Sequence, residues 1–400
     1  MHDPGLTKNR ALRSKLWRRI RQYFWFGGND HQLVDVVLAT IAANKWPGYP
    51  TWLMVMAPPG SGKTDLLCRM RHEDVLMVSQ LTPNSLISGY RGGGGDPSLL
   101  ARLDGKIMLV KDFTAILTAP RDARDAVIGI LRDAYDGESS RSLGNLGLQT
   151  YQARFTVIAA VTPVYEHYYS VAQQLGERFL TFRMRHIDED RVAKASFDNM
   201  QGDDRPLSRI ESAFAAYIQH VHVPKISQMI FPNKYRRRLI DLAVLTAACR
   251  THVHRSGPRR AISAAPQKET AGRLVRQLAR IMMGIACSRG RANILEADFR
   301  IARRLAVDSL PPLTACLLRG LYRLRKECMQ KYPGASYRWY VSAPAVRAVV
   351  HLNIGTVQQR MEDLEALGIL LADPTSERHL RYMLADKYWR KMTEVNLWAE

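Results

Sequence analysis

Apolar residues in this chain follow two rhythms. Short apolar runs stand at Trp52–Met56, Val75–Val78, Ile107–Val110 and, broken only by Thr156, 155–160. Runs of that length, with no polar partner at alternate positions, predict strands buried on both faces. Between them, apolar residues recur at helical spacing over 33–43, around 97–103, over Arg121–Tyr135 and over 165–175. Strands alternating with helices predict an α/β fold, a parallel sheet with helices on both faces. From about 207 to 310 only the helical rhythm remains, over 209–222, 233–254, 268–288 and 296–309, with 256–266 reading as a loop. Pro311-Pro312 closes that stretch.

The remainder has a third pattern. Ser342-Ala343-Pro344 caps one helix, with proline at an early position where its missing N–H does no harm. Leu352-Asn353-Ile354-Gly355 is a turn, and Thr356 caps a second helix that buries Val357, Met361, Leu364 and Leu367. Gly368 ends it, Ile369-Leu370-Leu371 is a strand, and Asp373-Pro374-Thr375-Ser376 turns the chain back along 380–384. That order predicts a winged helix, with Gln358, Gln359 and Arg360 facing outward as a recognition helix presents side chains to base edges. Glu362, Asp363 and Glu365 follow closely and would repel phosphates, so a protein-docking role stands beside DNA contact. The sequence thus divides into a basic N-terminal helix (1–30), an α/β core (31–206), a helical region (207–310) and a winged-helix domain (311–400).

Composition changes this picture at one point. Apolar and charged fractions of 46% and 24% are ordinary for a globular protein, but a net charge of +21 is not. Such a chain is drawn to a polyanion, nucleic acid above all, and no apolar run is long enough to make membrane the partner. Five scattered cysteines without a Cys-x-x-Cys pair read as reduced core thiols of a cytoplasmic protein. His252 and His254 have no further ligands nearby in sequence to make a metal site. At the N-terminus, Lys8, Arg10, Arg13, Lys15, Arg18, Arg19 and Arg21 interleave with Leu12, Leu16, Trp17, Ile20 and Phe24. This amphipathic basic helix fits a DNA-contacting arm, a transit peptide or a docked solvated helix; Asp3 and the lack of a Ser-rich stretch favour a docked helix facing DNA in part.

One stretch names a ligand. Ala57-Pro58-Pro59-Gly60-Ser61-Gly62-Lys63-Thr64 follows an apolar strand and precedes the helical Asp65-Leu66-Leu67-Cys68. This is the context of a phosphate-binding loop, with Ala57 in place of its usual first glycine. Backbone N–H groups of Pro59–Asp65, other than proline's, would curl round a β-phosphate, Lys63 would reach the β- and γ-phosphates, and the Thr64 hydroxyl would ligate Mg²⁺. Further on, Ile107-Met108-Leu109-Val110-Lys111-Asp112-Phe113 has the form of a Walker B strand, apolar and ending in an acid. A later apolar strand ends in Thr162-Pro163, where a hydroxyl can meet a γ-phosphate or a water. Arg178 suits a neighbouring subunit's phosphate, and Arg273 or Arg276 stands where a helical lid would close on the nucleotide.

The order of these motifs resembles an AAA+ ATPase, and in detail the minichromosome maintenance (MCM) helicase branch, over residues 33 to 310. The closest part of the resemblance is 124–138, then 139–152, then the strand at 155: a helix followed by a β-hairpin ahead of the sensor-1 strand. The hairpin turn is Gly144-Asn145, or one extending to Gly147. By this resemblance Arg141 and Asn145 would touch DNA in a ring's channel, or Arg141 is a solvated loop charge. Thr162 falls at sensor 1, Arg178 at the arginine finger and Arg273 at sensor 2, with an intrasubunit salt bridge the other reading of Arg178. The chain also resembles ATP-binding proteins of phages and integrated elements, whose own proteins would then be partners.

One departure affects the chemistry. The family places Asp-Glu before an apolar residue where this chain has Lys111-Asp112-Phe113. Either Lys111 replaces the metal-supporting Asp and Asp112 the catalytic Glu, or Asp112 supports the metal and the general base is gone. The resemblance implies a ring-forming, DNA-dependent ATPase using ATP and Mg²⁺, with Asp112, Thr162, Arg178 and Arg273 as catalytic residues and a homo-oligomeric ring, such as a hexamer, as the working form. The short Walker B strand leaves open an ATP-switched DNA-binding oligomer with little hydrolysis.

Overall fold

The computed structural model describes residues 3–90, 95–144, 146–168, 178–200, 205–257, 261–331, 339–375 and 380–398. Contacts among them gather into two units, 1–232 with 277–305, and 233–276 with 306–400, so the helical stretch 207–310 is divided between them.

The first unit opens with α1 (Pro4–Tyr23) and α2 (Gln32–Asn44). Asp3 caps α1, its Oδ1 accepting from Gly5 N at 2.8 Å, and Pro4 sits in the first turn. The expected docking of α1 is present. Leu16 and Ile20 are fully buried, and Asn9 donates to the carbonyls of His222 and Cys287. Then follow β1 (Trp52–Met56), α3 (Lys63–Cys68), β2 (Val75–Val78), α4 (Pro83–Leu86), α5 (Leu100–Leu103), β3 (Ile107–Val110), α6 (Thr114–Leu117), α7 (Arg121–Tyr135), β4 (Glu138–Leu143), β5 (Gly147–Gln152), β6 (Thr156–Val161) and β7 (Phe179–Arg183). The expected parallel sheet has the order β2-β3-β6-β1-β7, with β1 in register between β6 and β7 (Leu53 opposite Ile158 and Leu180). Its three central strands, β3, β6 and β1, are buried on both faces, while the edge strand β2 is half-buried beyond Val75. A five-stranded parallel sheet flanked by helices is consistent with a P-loop fold.

Some expectations are corrected. Only Leu100–Leu103 of 97–103 is helical, and Pro163–Tyr168 is a 3₁₀ turn where 165–175 was expected to be an α-helix; the rest of that stretch lies outside the described residues. β7 was not read as a strand at all.

At the strand-start edge of the sheet, polar groups close on one another. Arg154 donates to the carbonyls of Asn44 (2.9 Å), Trp46 (2.5 Å) and Gly48 (2.6 Å), where α2 ends and its carbonyls lack helical partners. Asn44 bridges the Gly105 carbonyl (2.8 Å) and the Thr156 hydroxyl (3.0 Å), and Trp52 Nε1 donates to Phe155 O at 2.9 Å.

The predicted hairpin is present as the antiparallel pair β4–β5, Glu138 opposite Gln152 through Leu143 opposite Gly147. Both strands are braced by the segment after β2. Arg141 on β4 donates to Asn84 Oδ1 (2.9 Å) and Ile87 O (3.2 Å), and the Tyr151 hydroxyl on β5 meets Asp96 (2.5 Å) and Ser98 (3.1 Å).

The second unit contains the helix Asn233–Arg250, a short ladder of β8 (Arg255–Ser256) with β9 (Ala261–Ile262) inside the expected loop, and the helix Pro312–Lys331. After these come β10 (Val341–Ser342), helices Ala343–Val350 and Ile354–Ala366, β11 (Leu370–Ala372), β12 (Arg381–Leu384) and the helix Asp386–Glu394. The strands form an antiparallel sheet of order β10-β12-β11 over a core that includes Val357, Met361, Leu364 and Leu367. The cap of Ile354–Ala366 is Asn353, not Thr356. Asn353 Oδ1 accepts from Gly355 N at 2.9 Å, which starts the helix earlier and leaves Thr356 in its first turn.

Candidate functional site

β1 ends at Met56, and the chain loops over the sheet edge before Lys63 opens α3. Gly60 and Gly62 carry φ of +75° and +77°, a left-handed backbone that glycine adopts without strain. The ring of Phe24 closes against Gly62, 3.6 Å from where a Cβ there would stand. Pro59 and Gly60 are exposed at the tip, while Ser61, Gly62, Thr64 and Asp65 are half-buried.

Lys63 turns inward. It is 7% exposed, and its ammonium donates to the Pro58 carbonyl at 3.2 Å. Burial pushes its pKa below the usual lysine value, and the Asp112 carboxylate pulls it partly back. The Ser61 hydroxyl is buried with no hydrogen-bond partner among the described residues. A desolvated cation, an orphaned hydroxyl and a loop of backbone amides between left-handed glycines together fit an anionic phosphate ligand.

The neighbouring strands bring the other expected groups to this edge. β6 lies between β1 and β3, so Thr162, just past β6, stands between the loop and Asp112, just past β3. Asp112 is exposed, and its Oδ1 accepts from Thr114 N at 2.9 Å. Thr114 in turn bonds Thr162, the two hydroxyls 3.3 Å apart and the Thr162 N–H donating to Thr114 Oγ1 at 3.2 Å. Phe113 is fully buried against Phe179 (ring centroids 5.5 Å apart), which fixes the strand end. Burial raises the Cys68 thiol, and the charge of Lys111 opposes that shift, so Lys111 acts toward α3 while Asp112 acts toward Lys63.

Thr64 and Asp112 could hold Mg²⁺ between them. That ion commonly uses one or two protein oxygens, substrate phosphates and waters. No group of three or more His, Cys, Asp or Glu side chains among the described residues forms a metal cage. Asp65 is committed elsewhere in part: Arg69 holds it at 2.7 Å and Glu211 at 3.0 Å.

Arg178, in the same unit as the loop, stands at the other end of the strands. Arg178 precedes β7, whose Phe179 pairs with Trp52 at the strand-start edge. It is 5% exposed, ion-paired to Asp136 at 2.5 Å and set over the Tyr135 ring at 5.3 Å. Its carbonyl accepts from Gln277 Nε2 at 2.5 Å. Arg141 makes the bracing bonds described above, and Asn145 lies outside the described residues. Arg273, half-buried, and Arg276, exposed, begin the helix Gly272–Ser288 in the second unit. In that unit Gln358 is exposed, and Gln359 and Arg360 are half-buried. Arg360 pairs with Asp363 at 3.0 Å, and Arg255 from β8 pairs with Asp363 (2.8 Å) and Glu362 (3.1 Å). Two of the three acids expected to repel phosphate, Glu362 and Asp363, are therefore matched by guanidinium groups.

Sequence reasoning missed three groups at the loop edge: Thr114, Phe24 and the pair Arg183–Glu166, in which Arg183 also reaches Met56 Sδ at 2.9 Å. Asp112-x-Thr114 just past an apolar run is a local turn signal. The other two depend on long-range pairing and carried no local signal.

No family model matches the chain, and no curated protein matches it. Among solved structures, a full-length MCM homolog from Methanopyrus kandleri is similar at a TM-score of 0.48 and 16% identity. The likeness covers 79% of this chain and 63% of that one, too distant for any role to be carried across. No helix among the described residues is long and apolar enough to cross a membrane, and all five cysteines are free.

Proposed function

We propose that the chain is an AAA+-type ATPase that binds ATP with Mg²⁺ at the loop edge and acts on DNA as a ring-forming oligomer. The observation that carries this reading is Lys63: a buried ammonium whose one hydrogen bond among the described residues is to the Pro58 carbonyl, inside a glycine loop, with Asp112 and Thr162 at the adjoining strand tips. On this reading loop N–H groups and Lys63 bind the phosphates, and Thr64 and Asp112 hold the metal ion. The ion would neutralise charge on the phosphoryl oxygens. Thr162, oriented by Thr114, positions the γ-phosphate or the water. The β4–β5 hairpin and a C-terminal winged helix, presenting Gln358, Gln359 and Arg360, are the DNA-facing parts. Arg178 serves a neighbouring subunit only by exchanging Asp136 for phosphate.

A second reading is favoured by Lys111. One carboxylate, Asp112, stands at the tip where a metal-supporting and a water-activating acid would both be needed, and a cation stands beside it. The chain would then be an ATP-switched DNA-binding oligomer with little hydrolysis. Nucleotide binding and ATP turnover, measured with and without single- and double-stranded DNA alongside electron microscopy for rings, separate the two. Turnover stimulated by DNA and lost in Lys63→Ala supports the first. ATP-dependent assembly on DNA without turnover supports the second. Wild-type protein that binds no nucleotide sinks both.

A further inference from the structure

The basic helix α1 is not used by the loop site, and its docking leaves one side of it exposed. Its apolar side is committed: Leu6, Leu16 and Ile20 are buried, and Trp17 meets the Phe26 ring edge-on at 6.0 Å. Two of its cations are committed as well, Arg13 to Asp35 at 2.7 Å and Arg19 to the Arg209 carbonyl at 2.5 Å. The exposed side carries Lys8, Arg10, Lys15, Arg18 and Arg21. None of these five forms an ion pair among the described residues, and the helix itself contains no carboxylate. Carboxylates on the elements packed against it are already matched. Asp35 holds Arg13 and Arg289, and Glu211 on the helix Arg205–His220 holds Arg69 and Arg71. Asp3, before the helix, faces His222 at 3.4 Å.

We propose that this face of α1 is a sequence-independent binding surface for a nucleic-acid phosphate backbone. From Lys8 to Arg21 the helix advances about 20 Å. Measured along the axis of a duplex, that is the rise of about six phosphates of one strand. Five uncompensated cations on a rigid helix match such a row in charge and in reach. A membrane surface is the other polyanion, but an amphipathic helix binds one by inserting its apolar side. Here that side is buried in the protein. The proposal rests on the nucleic-acid half of the function above and not on its ATPase half.

The test is salt-dependent binding of the full chain to a generic duplex, comparing wild type with a variant in which Lys8, Arg10, Lys15, Arg18 and Arg21 are all changed to Gln. Each lost phosphate contact lowers the slope of log affinity against log salt by about 0.9. Measured without nucleotide, the variant is expected to flatten that slope by up to about 4.5. An unchanged slope in the folded variant overturns the surface while leaving the ATP-binding reading intact. Wild-type binding to phosphatidylserine vesicles but not to nucleic acid also overturns it. Should the five-site variant lose its melting transition, Arg18→Gln with Arg21→Gln decides: a slope flattened by about 1 to 2 supports the surface, and no change overturns it.

Discussion

The two edges of the five-stranded sheet are built from the same strands and treat polar groups in opposite ways. At the strand-start edge, Arg154, Asn44, Thr156 and Trp52 all find internal partners, and Arg178 is paired with Asp136. At the loop edge, Lys63 is buried against one carbonyl, the Ser61 hydroxyl has no partner among the described residues, and the backbone is held left-handed at two glycines. The strand-start edge is satisfied mostly within the protein, the buried Thr51 hydroxyl being an exception among the described residues; on the proposed reading the loop edge is completed by a phosphate ligand. The difference separates what holds the fold from what the fold is for, and substitutions at the two edges should part accordingly.

The largest effect is expected from Lys63→Ala. Removing a charge-assisted phosphate contact should lower nucleotide affinity by about 10²-fold or more, read by titration with a fluorescent ATP analogue. Unchanged affinity would remove the basis for calling this edge a site. Next, Asp112→Asn, which removes the carboxylate proposed to hold the metal ion, should reduce ATP turnover by about 10²–10⁴-fold and weaken binding of ATP with Mg²⁺. A variant with wild-type turnover would assign the chemistry elsewhere.

At the opposite edge, Arg154→Ala should cost stability and not binding. Its guanidinium satisfies carbonyls at the end of α2, and about 2–3 kcal/mol of unfolding free energy should go with it. Chemical denaturation measures the loss, and nucleotide affinity of the folded variant should stay at the wild-type value. Were affinity to fall instead, the two edges would not be separable.

The smallest effect concerns the ligand-free protein. Burial lowers the Lys63 pKa below 10.5, so the unfolded chain holds the proton more tightly than the folded one. Stability should therefore rise with pH between the lowered value and 10.5, and the cost is fully present below that window. Lys63→Met removes the cost. It should melt higher than wild type near neutral pH without nucleotide and lack the alkaline rise. A variant that melts lower would mean that the lysine is satisfied within the protein.

The sequence made the loop edge visible and largely hid the strand-start edge. β1, β2, β3 and α7 can be read to the residue because continuous apolar runs and a clean helical period decide them locally. The loop is legible because its chemistry is short-range: glycine, lysine and threonine act within a few residues of one another. β7 escapes notice because Thr181 and Arg183 interrupt its apolar run, and its strand identity comes from pairing with β1. Arg154 looks like an ordinary charge between a hairpin and a strand, since the carbonyls it clamps lie far back in sequence. Asn353 and Thr356 are both competent caps, and only the backbone geometry selects the first. Lys111, which the motif flagged as out of place, is understood only when its charge is found acting toward α3 and that of Asp112 toward Lys63.

The bracing of the β4–β5 hairpin has a mechanical consequence. Arg141 on one strand and Tyr151 on the other are both tied to the chain between Asn84 and Ser98, while Leu148 near the turn stands 67% exposed. A ribbon fastened along both rails behaves as a cantilever: a push at its free end is not spent in bending and arrives at the root as torque. The stretch that receives it follows β2, so whatever the hairpin presses against is felt at the edge strand of the sheet.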